Sequence, residues 1–83
     1  MAKKERILIT GAGGFIGHHL ARYLKKNGYF VRGVDIAYPQ FSSLADFDEF
    51  KILDLKDFRN CIEATEGMHK VYALAAQNGS IEF

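Results

Sequence analysis

The sequence predicts an α/β fold in which a four-stranded parallel sheet, in the order 3-2-1-4, is flanked by helices. Short apolar runs rich in valine, isoleucine and leucine alternate with segments of helical spacing. No hairpin turn signals separate the apolar runs, so the strands should pair in parallel through right-handed crossovers. With 83 residues, 48% of them hydrophobic, and a single proline, the chain has the composition of one packed unit without repeats or linkers.

The first half of the chain contains two predicted strands and one helix. Residues 6–10 form an apolar run that ends in a cluster of glycines, as expected where a buried strand enters a tight loop. A helix should begin at Phe15 and end before Gly28, because glycine commonly follows the last helical turn. Residues 30–35 form the second strand. The residues expected on the apolar face of the helix are Ile16, Leu20, Tyr23 and Leu24.

The second half begins with an irregular connection and continues with two strands and a helix. Residues 37–48 contain Pro39 and two serines, with a short helical turn expected around 44–47. Residues 50–53 and 71–76 are the third and fourth strands. Asp57 can cap the intervening helix, which Gly67 ends. The residues expected on its buried face are Phe58, Cys61, Ile62 and Thr65.

A glycine-rich loop joins the first strand to the first helix. Gly11, Gly14 and Gly17 stand at G-x-x-G-x-x-G spacing between a strand and a helix, where glycine triplets bind dinucleotide pyrophosphates. The helix N-terminus would offer N–H groups and a positive dipole end, and no Asp or Glu lies between Glu5 and Asp35 to occupy that position. The alternative is a tight turn with a purely structural role.

Acidic residues follow the second and third strands. Asp35 comes 18 residues after Gly17, close to the spacing at which an acid reaches the adenosine ribose. A carboxylate there repels a 2′-phosphate, and no Arg or Lys follows directly, so the sequence favours NAD over NADP. Asp35 could instead be a turn residue. Asp54 lies where the third strand would face the adenine crevice, although capping of a turn or helix explains its position equally well.

These features resemble the extended short-chain dehydrogenase/reductase family, the NAD-dependent sugar-nucleotide epimerases and dehydratases. The matching stretches are T-G-A-G-G-F-I-G at 10–17, V-R-G-V-D at 31–35, D-L-K-D at 54–57 and V-Y-A-L-A-A at 71–76. The resemblance implies a partial Rossmann fold, with residues 1–83 as the N-terminal portion of an NAD(P)-binding domain. It places the pyrophosphate on Gly11, Gly13, Gly14, Phe15, Ile16 and Gly17, the ribose on Asp35, the adenine on Asp54 and Leu55, and the nicotinamide near Leu74, Ala75 and Ala76.

The family's catalytic Tyr-x-x-x-Lys pair is missing from this chain. The residues four positions after the tyrosines are Asn27, Gly33, Ser42 and Ala76. We therefore expect the N-terminal half of an enzyme, able to bind NAD and inactive alone. The alternative is a stand-alone dinucleotide-binding or interaction module, which could dimerise through the exposed edge of its fourth strand.

Bulk composition bears on partners and location. A net charge of +1 argues against a dedicated nucleic-acid binder. One cysteine, no zinc-ligand spacing and no long apolar run favour a cytoplasmic chain without metal or membrane span. We expect His18 and His19 on the helix surface, His69 in an exposed loop, and Cys61 as a buried, unreactive thiol. Arg22, Lys25 and Lys26 should form a solvated helix end.

Overall fold

One parallel sheet in the order β3-β2-β1-β4 organises the chain and confirms the predicted fold class. The computed structural model describes residues 4–39 and 44–74. Among these residues, no helix is both long and apolar enough to cross a membrane. The elements in chain order are β1 (Arg6–Thr10), α1 (Phe15–Lys26), β2 (Phe30–Asp35), a 3-10 turn (Leu44–Asp46), β3 (Glu49–Ile52), α2 (Phe58–Thr65) and β4 (Lys70–Ala73).

The predicted bounds of β1, α1 and β2 are confirmed, whereas the two later strands differ by small shifts. β3 begins at Glu49, one residue earlier than predicted, because this residue pairs with Arg32 of β2. β4 covers Lys70–Ala73 rather than 71–76, since its pairing with β1 runs from Lys70 opposite Ile7 to Ala73 opposite Thr10. Residues 75 and 76 lie outside the described ranges.

Both faces of the central strand β1 are covered, as is usual for parallel strands. Alternate residues of β1 point to opposite sides: Ile7 and Ile9 pack towards α1, and Leu8 packs towards α2. All three side chains are at most 1% exposed. The core therefore lies around β1, the central strand that ends in the glycine loop.

The buried face of α1 differs from the predicted one. Ile16 and Tyr23 are 67% and 64% exposed, so two of the four expected core positions face solvent. Gly17 and Ala21 are small and let α1 approach the sheet closely, so the side of the helix that carries them faces the sheet. The buried positions are Gly17, His18, Ala21 and Leu24.

α2 also presents a different face from the one predicted. Phe58 and Ile62 are 76% and 52% exposed, while Ala64 is buried against Leu8 and Val34. The predicted cap is confirmed, because an Asp57 carboxylate oxygen accepts the Arg59 N–H at 2.9 Å. Cys61 is half-buried rather than fully buried, and its thiol donates to the Leu55 carbonyl at 3.0 Å.

A buried arginine joins α2 to the sheet. Arg32 of β2 is 6% exposed, and its Nη1 donates to the carbonyls of Ala64 and Glu66, each at 2.9 Å. The same guanidinium donates from Nη2 to Oε1 of Glu49 at 3.1 Å. The last carbonyls of a helix have no partner within the helix, so this side chain satisfies the carboxyl end of α2.

Candidate functional site

The glycine loop lies at the carboxyl end of β1, in the centre of the sheet edge. Gly11 has a φ of 70°, a left-handed conformation that favours glycine. The next residue, Ala12, is fully buried, and its N–H donates to the Val34 carbonyl at 3.1 Å. The loop is thus anchored to β2 before it turns into α1.

The N-terminus of α1 is open to an anion. Gly14 is the N-cap residue and supplies no side-chain hydrogen bond, and the first turn contains no acidic residue. In the described part of the chain, the N–H groups of Ile16 and Gly17 make no backbone hydrogen bond. These donors and the positive end of the helix dipole are the features that bind phosphate groups at helix N-termini.

Gly17 allows α1 to lie directly on the loop. A Cβ atom at this position would be 2.6 Å from the Ala12 carbonyl oxygen and 2.8 Å from the Ala12 Cα. Both distances are well below normal contact, and both partners are backbone atoms that cannot rotate away. The third glycine of the motif therefore has the packing role expected from its position.

Asp35 is held against the loop by two backbone N–H groups. Its Oδ2 accepts the Gly13 N–H at 2.8 Å, and its Oδ1 accepts the Ile36 N–H at 2.7 Å. A Cβ on Gly13 would lie 2.9 Å from Oδ2, so glycine makes room for this contact. An ionised carboxylate has about four acceptor positions. Asp35 therefore keeps acceptor capacity for hydroxyl groups while its orientation is fixed.

The other predicted site residues lie at the same edge of the sheet but make different contacts. Asp54 follows β3 and is exposed, and its Oδ1 accepts the Lys56 N–H at 2.9 Å, which is the turn-capping role left open as an alternative. Leu55 packs against the apolar cluster formed by Leu8, Val34 and Ala64. Leu74 follows β4, and its N–H donates to the Thr10 carbonyl at 3.0 Å. The remaining predicted residues, Ala75 and Ala76, lie outside the described residues.

One ion-paired cluster near the loop was not predicted. His18, expected on the surface, is 8% exposed, and its Nδ1 lies 3.1 Å from Oδ2 of Asp46. Arg22 contacts the same carboxylate, with 3.2 Å between Nε and Oδ1, and the Lys25 Nζ donates to the Ala45 carbonyl at 3.3 Å. The expected solvated helix end therefore holds the 3-10 turn against α1. The sequence held one signal for this burial: His18 precedes Ala21 by three residues, which places both on one side of the helix.

Lys70, whose pKa is shifted, lies away from the loop. Within residues 4–39 and 44–74, no group of three His, Cys, Asp or Glu side chains is arranged to hold a metal ion. A hydrogen bond and charge from Glu5 raise the pKa of Lys70 above its usual value. This pair lies at the amino ends of the strands, whereas the glycine loop lies at their carboxyl ends. The geometry beside the glycine loop is that of a site for an anionic ligand with hydroxyl groups.

Comparisons with known proteins agree with this geometry. The family model described as the NAD dependent epimerase/dehydratase family matches residues 7–82. GDP-mannose 3,5-epimerase of Arabidopsis thaliana is 43% identical over 79 residues, which are 94% of this chain and 21% of the relative. The chain thus spans about a fifth of the length of the relatives it matches.

Solved structures show the same fold. A short-chain dehydrogenase/reductase superfamily protein from Agrobacterium tumefaciens with bound NAD superposes with a TM-score of 0.73 at 27% identity, over 88% of this chain and 21% of that one. UDP-glucose 4-epimerase of Thermus thermophilus in complex with NAD gives a TM-score of 0.70 at 28% identity, over 87% and 24% of the two chains. Both matches confirm the predicted family resemblance, and the family's cofactor is NAD.

Proposed function

Because the chain belongs to the NAD-dependent epimerase/dehydratase family, we propose that residues 1–83 form the N-terminal portion of a Rossmann domain that binds the pyrophosphate and adenosine of NAD. The observation that carries this proposal is the contact between the second strand and the glycine loop. Oδ2 of Asp35 accepts the Gly13 N–H at 2.8 Å, so the acid already stands beside the backbone that would receive the pyrophosphate. Little rearrangement is then needed for the ligand to enter.

Each part of the cofactor has a proposed location. The pyrophosphate binds the loop and the open N-terminus of α1, and the adenosine ribose donates to Asp35. Asp54 and Leu55, at the end of β3, receive the adenine. The nicotinamide half lies at the end of β4. The residues in this assignment are those of the loop and the start of α1, Gly11, Gly13, Gly14, Phe15, Ile16 and Gly17, and those that follow β4 in the sequence, Leu74, Ala75 and Ala76.

The parent reaction is proposed to be epimerisation or dehydration of a sugar nucleotide. This proposal rests on the family and on relatives such as the plant GDP-mannose 3,5-epimerases. The 83-residue chain by itself should bind NAD and catalyse nothing, because none of its four tyrosines is followed by a lysine one helical turn later. The cytoplasmic location expected from the single cysteine is part of the same proposal.

The cofactor assignment is tested by replacing Asp35 with asparagine. The variant keeps an acceptor for the Gly13 N–H but loses the charge that strengthens hydrogen bonds from the ribose and repels a 2′-phosphate. We expect the affinity for NAD to fall about tenfold and the preference for NAD over NADP to narrow. Calorimetric titrations with both dinucleotides measure this change.

Asp57→Asn is the matched control for this experiment. It makes the same chemical change at the N-cap of α2, where asparagine caps as well as aspartate, so stability and NAD affinity should be unaltered. Unchanged NAD affinity in Asp35→Asn, or a native preference for NADP, would contradict the assignment of Asp35 to the ribose.

A second candidate function, association through β4, is favoured by one observation. All four residues of β4 are exposed, and Val71 and Tyr72 remain 49% and 41% accessible at the end of the sheet order. Unpaired strand edges with apolar side chains recruit further strands. We infer that the 83-residue chain self-associates through this edge when no other segment covers it.

Sedimentation of the 83-residue chain over a range of concentrations tests this association. Dimers or larger species should form as the concentration rises, and Tyr72→Lys should return them to monomer. Tyr23→Lys places the same change on an exposed residue of α1 and should leave the association intact. A monomer at every concentration would contradict the inference.

A further inference from the structure

A basic cleft lies at the amino end of the sheet, on the side opposite the glycine loop. Its volume is about 360 Å³, comparable with small ligand sites. Arg6 and Phe30 begin β1 and β2, and the loop before β4 completes the wall. No residue of the proposed NAD site lies at these amino ends of the strands. The lining residues are Lys4, Arg6, Phe30, Gly67 and His69.

The Arg6 guanidinium lies over the Phe30 ring in this cleft. Its Cζ lies 3.9 Å from the centre of the Phe30 ring, and its Nε donates to the Gly67 carbonyl at 3.1 Å. Nη2 is 3.7 Å from Oε1 of Glu49, a long ionic contact. Nη1 makes no hydrogen bond to the described residues. The guanidinium over the ring therefore keeps N–H donors on Nη1 that the described residues leave unused, and such donors are those with which arginine binds oxyanions.

His69 is oriented by its neighbour. Its backbone N–H donates to the Arg6 carbonyl at 2.8 Å, and its ring Nδ1 accepts the Arg6 N–H at 2.9 Å. A ring nitrogen that accepts a hydrogen bond carries no proton, so the proton of the neutral imidazole is on Nε2. His69 thus contributes a hydrogen-bond donor to the cleft without needing to be charged.

The charges around the cleft sum to a positive value. Glu5 is paired with Lys70, with 3.3 Å between carboxylate and amine, and Glu49 is shared between Arg32 and Arg6. Lys4 makes no ion pair with any described residue and is exposed. Of the residues that line the cleft, Lys4 and Arg6 are cationic and none is a carboxylate.

We propose that this cleft binds a phosphoryl group, held by the Arg6 guanidinium edge, the Lys4 amine and the His69 Nε2–H. A tetrahedral phosphate has three or more acceptor oxygens and a charge near −2, which suits donors arriving from three side chains. A planar carboxylate would be satisfied by the arginine alone. The site is independent of NAD binding, since the cleft lies at the amino ends of the strands and the proposed NAD site at their carboxyl ends.

Titration of the protein with inorganic phosphate, followed by NMR at constant ionic strength, tests this site. We expect saturable shifts of the Arg6 Nε–H and of the amides around residues 67–70, with a dissociation constant in the millimolar range. Lys4→Gln should weaken this binding about fivefold, and Lys26→Gln, at an exposed lysine of α1, should not change it. Arg6→Lys, which keeps the charge and loses the planar edge, should weaken it further.

Three results would overturn the proposal. Chloride at matched ionic strength could produce the same shifts, which would indicate screening rather than binding. Acetate could bind as tightly as phosphate, which would exclude a phosphoryl site. The Lys4→Gln and Lys26→Gln variants could show equal affinities, which would place the ion elsewhere. Lys4 lies before β1, so its substitution tests the site even if Arg6→Lys does not fold.

Discussion

Replacing Gly17 by alanine should destabilise the fold by about 1–3 kcal/mol, the usual range for overpacking, and weaken NAD binding at least about tenfold. The new methyl group would lie 2.6 Å from the Ala12 carbonyl oxygen, so either α1 or the loop must move. Alanine is the better helix former by about 1 kcal/mol, and the clash exceeds that gain. Moving α1 also displaces the N–H groups proposed to bind the pyrophosphate.

Urea unfolding and NAD calorimetry measure the two effects of Gly17→Ala, and Gly14→Ala provides the contrast. A Cβ at Gly14 would approach only the Gly11 carbonyl oxygen, at 3.7 Å, and the residue has a negative φ of −84°. The free energy of unfolding of Gly14→Ala should stay within about 1 kcal/mol of that of the native chain, while the NAD affinity of this variant falls because the methyl group faces the ligand. Native stability and affinity in Gly17→Ala would refute the close packing of α1 on the loop.

Replacing Arg32 by methionine should lower the free energy of unfolding by about 2–4 kcal/mol, because hydrogen bonds from a charged donor to buried carbonyls are lost. The carbonyls of Ala64 and Glu66 would be left without their 2.9 Å donors at the carboxyl end of α2. The Glu49 carboxylate would also lose a partner. Methionine fills similar space, so the loss reports hydrogen bonding rather than a cavity.

Arg59→Met is the control for this substitution. The Arg59 side chain is 90% exposed, and its ion pair with Asp57 is long, at 3.7 Å, so its removal should change stability by less than about 1 kcal/mol. Hydrogen exchange adds a local test, since the α2 amides should lose protection in Arg32→Met before those of α1. Equal stabilities of the two variants would show that Arg32 does not hold α2 to the sheet.

Glycines account for the elements whose ends could be predicted. Gly11 and Gly28 both have positive φ values, of 70° and 88°, and they mark the end of β1 and the end of α1. Local backbone requirements of this kind are visible in the sequence. The start of β3 was missed by one residue because it depends on pairing between Glu49 and Arg32, which no local pattern reveals.

The candidate site was predictable only where its signal was local. The glycine spacing and the distance to Asp35 predicted the loop and its acid, while the Gly13–Asp35 hydrogen bond joins residues 22 positions apart. The His18–Asp46 contact spans 28 positions, and the bond from Arg32 to the Ala64 carbonyl spans 32. Polar residues buried by such distant partners look like surface residues in a single sequence.

The position of β1 in the centre of the sheet has a consequence for synthesis on the ribosome. β1 is synthesised before β4, yet one of its two edges pairs with β4, and the contact between Arg6 and His69 joins residues 63 positions apart. One edge of the apolar run Ile7–Ile9 therefore stays unpaired until residues 70–73 have emerged. Non-local parallel pairing of this kind folds slowly and leaves apolar edges available for aggregation. Slow elongation after β3 would prolong that interval, and chaperones that bind extended apolar segments would find their target in β1.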